Sequence, residues 1–160
     1  MRSLLLIANY WVHLLAAVFW IGGIMFILFI ALPVSTSKAQ SGGKEVMGEI
    51  AKRFGPLANL CIYILIGTGV VMAWSIRPMY VGDTASTWNW VLVSKMLPVS
   101  IMFAIHFFRG LVLSRMIDRT EPGAGKAHLQ KLSLNLVKVN LSLGVLVLLL
   151  SAVLSIQGGY

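Results

Sequence analysis

The sequence predicts an all-α integral membrane protein, a four-helix bundle with little outside the bilayer. Three observations carry that prediction. Of the 160 residues, 58% are hydrophobic and only 11% charged, against roughly 25% charged in soluble proteins. Apolar runs near or above the ~20 residues needed to cross hydrocarbon recur four times. Lys and Arg, which give the chain its net charge of +8, fall mainly in the polar stretches between those runs. The basicity therefore belongs to membrane-flanking segments that meet lipid, and it is not a nucleic-acid signature. The chain reads as one transmembrane domain, 1–160, with helices at about 4–32, 56–76, 88–116 and 134–156.

The first helix starts behind an n-region that holds only Arg2. Its apolar run far exceeds the roughly 7–15 residues of a signal-peptide core, so it is expected to be retained. Asn9, His13, Ala16, Ala17, Trp20 and Ile24 recur at i, i+3/i+4 spacing and form one face. Ala16, Ala17, Gly22 and Gly23 leave room for another helix or a flat ligand. Pro33 and the Ser/Thr/Gly-rich PVSTSKAQSGG end the helix. In GKEVMGEIAKRF, residues Val46, Met47, Ile50, Ala51 and Phe54 fall at helical spacing with the charges mostly opposite. This predicts a short amphipathic segment on the membrane surface before helix 2.

Helix 2 starts at Pro56, a position where the missing N–H costs nothing. Gly67 and Gly69 permit close packing, and Arg77–Pro78 ends the span. Residues 79–87 form a polar turn with Asp83, and Trp74, Tyr80, Trp88 and Trp90 gather around it as an aromatic belt. Helix 3 carries Pro98, which predicts a kink and a freed Ser94 carbonyl beside Lys95. The polar stretch 117–130 reads as a loop with a solvated His128, and helix 4 has Asn135 and Asn140 near its start.

Orientation follows from the cations. Residues 33–53 hold four (Lys38, Lys44, Lys52, Arg53) and residues 109–138 hold six (Arg109, Arg115, Arg119, Lys126, Lys131, Lys138). The opposite side has Arg2 and Arg77. This predicts both basic segments in the cytoplasm and both termini outside.

The ionisable groups inside the spans carry the functional signal. The stretch WVLVSKMLPVSIMFAIHFFR keeps Lys95 and His106 at membrane depth, where insertion scales put the cost of a Lys near 2.5–3.5 kcal/mol. Eleven residues at ~100° each make about three turns, so Lys95, Met102, His106 and, less closely, Arg109 share a face. The alternative is that Lys95 snorkels to an interface and His106 hydrogen-bonds a neighbouring helix. One histidine on each of two parallel helices, His13 and His106, is the usual requirement for holding a b-type heme. Trp20, Phe103 and Phe107 could wall the macrocycle, and Arg109 could pair with a propionate. His13 sits nearer in depth to Lys95 than to His106, by a vertical offset of roughly 10 Å for the latter, so both stay open as the second ligand. Copper is the other metal: Met25, Met72, Met96 and Met102 are soft donors, though no Met-x-x-Met pair occurs. The single Cys61 excludes an intrachain disulfide, and the absence of Cys-x-x-Cys-His excludes covalent c-type heme.

HLLAAVFWIGG in helix 1, RFGPLANL with GTGV in helix 2, and W…VSKMLPVSIMFAIHF in helix 3 resemble the CopD-like and HemJ-like membrane proteins. The Lys-to-His spacing of helix 3 is the most specific part. The resemblance implies a four-helix core in a bacterial inner membrane. In the HemJ branch it implies b-type heme and oxidation of protoporphyrinogen IX to protoporphyrin IX, and in the CopD branch copper handling. His13, Lys95 and His106 match motif positions, and Arg53 matches a basic residue before helix 2. Asn135 and Asn140 are followed by neither Glu nor Pro, a departure from the HemJ-like Asn–Glu–x–Pro that bears on the oxidase activity. The expected function is thus a heme b electron-transfer protein, with His13 and His106 as iron ligands. Its partners would be a quinone, a redox partner subunit or further copies of itself. A protoporphyrinogen oxidase and a copper transporter are the alternatives.

Overall fold

The computed structural model describes residues 2–37, 42–76 and 83–157. Lys38, Arg77, Pro78, Tyr80 and the tail after Gln157 lie outside the described residues, as do the side chains of Arg2, Lys44, Asp83 and Trp88. Of the expected aromatic belt, Trp74 and Trp90 are described, and both are exposed.

The elements are helices in the order α1 (Arg2–Phe26), a π-helical turn (Ile27–Ala31), α2 (Leu32–Ser37), α3 (Gly43–Ile76), α4 (Asp83–Phe107), a second π-helical turn (Phe108–Leu113), α5 (Ser114–Arg119) and α6 (Ala124–Gln157). Four stretches are long and apolar enough to cross a membrane: Ser3–Ser37, Glu45–Ser75, Leu92–Arg119 and Ala124–Val153. The protein is therefore an all-helical, multi-pass membrane protein. Large apolar side chains such as Leu4, Trp11, Phe29, Tyr63, Leu97 and Leu149 cover the outward faces, which suits contact with lipid.

The helices run well past the expected ends. The shortest span has 28 residues, about 42 Å at 1.5 Å per residue, against about 30 Å of hydrocarbon. The amphipathic segment before helix 2 is not a separate element but the first turns of α3, which passes through Pro56. The stretch 117–130 is helical except around Thr120–Gly123. Polarity marks where a span leaves the hydrocarbon, whereas the residues there (Lys, Glu, Ala, Leu, Gln) remain good helix formers. Helix 1 likewise continues through Pro33 into α2. The π turn Ile27–Ala31 lies just before that proline. A proline ring at this place would collide with the Phe29 carbonyl of a regular helix, and a widened turn relieves that collision.

The chain divides into two compact units, Met1–Met79 and Tyr80–Tyr160. In the first, α1 packs on α3. His13 meets Thr68 and Gly23 meets Phe54, so a step forward on α1 is a step back on α3 and the pair is antiparallel. Ala16, Trp20, Ile24, Ala58, Cys61 and Ile62 are buried. In the second, α4 packs on α6 and the Thr120–Gly123 turn between α5 and α6 forces them antiparallel. Met102 and Leu113 are buried there, with the polar Asn140.

Candidate functional site

In the first unit the face of α1 that carries Asn9, His13, Ala16 and Trp20 is turned inward. His13 Nδ1 lies 2.7 Å from the Thr68 hydroxyl oxygen on α3. The Thr68 hydroxyl in turn donates to the Ile64 carbonyl one helical turn back, at 2.6 Å. Asn9 Nδ2 donates to the Thr68 backbone carbonyl at 3.1 Å. The imidazole edge lies over Gly69, where an added Cβ would sit 3.6 Å from His13 Cε1, an ordinary contact. Trp20, 3% exposed, is buried two turns along the same face. The small residues of α1 divide in role. Gly23 takes the Phe54 ring, so close that a Cβ there would fall 2.5 Å from Phe54 Cζ. Around Gly22 no atom of the described residues beyond its own helical turn comes within 4 Å of the Cβ position.

In the second unit Lys95, His106 and Arg109 are half-buried and Met102 is 2% exposed. They follow the side of α4 and the next π turn that is drawn away from the surface, as their spacing predicts. Pro98 is buried on the same side, within an α4 that stays helical throughout. The His106 ring meets the Phe107 ring edge to face, centroids 5.5 Å apart. Arg109 belongs to the wide turn Phe108–Leu113; π-turns of this kind are frequent at functional positions. On α6, Asn140 is 4% exposed, and its Oδ1 has no hydrogen-bond partner among the described residues. His128 is exposed, as expected of a solvated histidine.

The structure thus places His13 and Trp20 in one unit and Lys95, His106 and Arg109 in the other. Among the described residues no three His, Cys, Asp or Glu side chains cluster as a metal site. Of the thioethers, Met102 is buried, while Met25 and Met96 are each 45% exposed. Thr68 was invisible as a site residue in sequence, although a hydroxyl in the middle of an apolar helix, a turn from Ile64, is the kind of signal that could have raised it.

A sequence profile described as copper resistance protein D (CopD) matches residues 48–154, about two thirds of the chain. The chain belongs to the copper resistance protein D family. The matched part of this CopD-family protein includes Thr68, Lys95, His106, Arg109 and Asn140, and it begins after His13, Asn9 and Trp20. Comparison with curated proteins and with solved structures returned no match.

Proposed function

We propose that this CopD-family protein binds a b-type heme in a bacterial inner membrane, with His13 as an axial iron ligand, and exchanges electrons with a quinone or a redox partner subunit. One observation carries the reading: an imidazole inside a membrane span, half-buried, with one ring nitrogen engaged by a helix-anchored hydroxyl. Metal-ligating histidines characteristically use their second nitrogen in this way. The donor set also suits heme. The porphyrin supplies the equatorial nitrogens itself, so single, separate imidazoles on helices are enough protein ligands. When bound, the iron would supply a one-electron couple. The chain's own part is to present the imidazole, to exclude water with Trp20 and the apolar helix faces, and to meet carboxylates with cations.

In the second unit His106 is the residue we assign as an iron ligand, since neutral imidazole can bind directly. Lys95 must first lose a proton, and it and Arg109 suit propionate carboxylates better. The family match favours a second reading, a membrane protein that handles copper, for which methionine thioethers would be the soft donors.

The absorption spectrum and metal content of protein purified in detergent separate the two. A Soret band with α and β bands that sharpen on reduction is the expected result. Stoichiometric copper without a Soret band would replace the heme reading with the copper one.

A further inference from the structure

We infer that Thr68 is a positioning residue: it holds His13 as the Nδ1–H tautomer, so that the lone pair needed for a metal sits on Nε2. The inference deepens the reading of His13 as a metal ligand and rests on it for its functional meaning. Its structural part stands on proton counting.

A threonine hydroxyl has a single proton. The Ile64 carbonyl can only accept, and it lies 2.6 Å from Thr68 Oγ1, so that proton is committed to Ile64. The second carbonyl within reach, Leu65, is at 3.5 Å and also only accepts. The 2.7 Å contact between Thr68 Oγ1 and His13 Nδ1 then requires the imidazole to donate. In the neutral ring, which is the metal-binding form, a proton on Nδ1 leaves Nε2 as the basic nitrogen.

Two further contacts keep the relay in register. Asn9, one turn before His13 on α1, donates to the Thr68 backbone carbonyl, so α1 holds Thr68 at both its side chain and its backbone. The ring also lies beside Gly69, whose Cβ position is 3.6 Å from His13 Cε1, at van der Waals distance. The arrangement is the hydroxyl counterpart of the carboxylate or carbonyl that usually orients a metal-bound histidine. Loss of such a partner typically weakens metal affinity by about 10–100-fold.

The test begins with the metal-free full-length protein in detergent or nanodiscs, labelled with 15N-histidine, at a pH where the ring is neutral. His13→Gln identifies the His13 signals by difference. The His13 shifts should show a protonated Nδ1 and an unprotonated Nε2. In Thr68→Val, which keeps the shape and removes the hydroxyl, they should move toward the other tautomer or a mixture. Thr68→Ser should restore the wild-type pattern. A wild-type His13 that carries its proton on Nε2, or a Thr68→Val protein with unchanged shifts, would overturn the inference.

Heme and copper are then titrated separately into the same proteins. Thr68→Val should bind the metal species taken by wild type about 10–100-fold more weakly, and Thr68→Ser close to wild type. Equal binding by Thr68→Val would deny Thr68 its positioning role. If wild type binds neither heme nor copper, the functional reading of His13 fails, and the nitrogen shifts still decide the tautomer.

Discussion

Gly23 is the position where one methyl group should cost the first unit most. In α1, Gly22 and Gly23 are neighbours in the same apolar helix, so replacing either by alanine should bring a similar gain in helix propensity, up to about 1 kcal/mol. Their surroundings differ. At Gly22 the new Cβ meets nothing within 4 Å among the described residues beyond its own helical turn, whereas at Gly23 it lies 2.5 Å from Phe54 Cζ. Carbon atoms sit comfortably about 3.5–4.0 Å apart, so the half-buried ring or the helix must give by about 1 Å or more. Overpacking of this kind costs roughly 1–3 kcal/mol. The propensity gain cancels in the comparison, so Gly23→Ala should be less stable than Gly22→Ala by that amount. The displacement also acts where function is expected, because the Gly23–Phe54 contact helps set the register that puts His13 opposite Thr68. The assay is thermal unfolding of both variants in the same detergent, followed by circular dichroism. Adding Phe54→Ala should remove most of the difference, as coupling between touching residues requires. Equal midpoints for Gly22→Ala and Gly23→Ala, or a penalty that Phe54→Ala leaves intact, would refute the reasoning.

Four other outcomes are expected. His13→Ala should lose its heme, seen as disappearance of the Soret band per mole of protein; full heme retention would overturn the ligand assignment. His106→Ala should turn a low-spin spectrum high-spin, while Lys95→Ala should keep the spin state, and the reverse pattern would make Lys95 the ligand. Asn140→Leu should unfold at the same temperature as wild type or higher, because a buried acceptor without a partner costs about 1–3 kcal/mol; a marked drop in midpoint would show that the folded protein satisfies Asn140. A reporter active only in the cytoplasm, fused after Tyr160, should stay silent if both basic segments face inward, and a strong signal there would reverse the orientation.

The sequence by itself determined the fold class, because long apolar runs with few charges have only one way to satisfy their backbone in lipid, the helix. It also placed Asn9, His13, Ala16 and Trp20 together on one face of α1, and Lys95, Met102 and His106 on one face of α4, since helical periodicity is a local property. Element ends were legible only as changes of polarity, and here the helices outrun those changes. Lys and Glu leave the hydrocarbon without leaving the helix, and Pro33 is carried through by a π turn. What that face touches was decided by tertiary structure alone. That His13 meets Thr68, that Gly23 rather than Gly22 receives Phe54, and that Asn140 is buried at mid-helix all depend on the antiparallel register of packed helix pairs. Register is set by side chains some tens of residues apart in sequence fitting together, a relation that periodicity along a single helix does not contain.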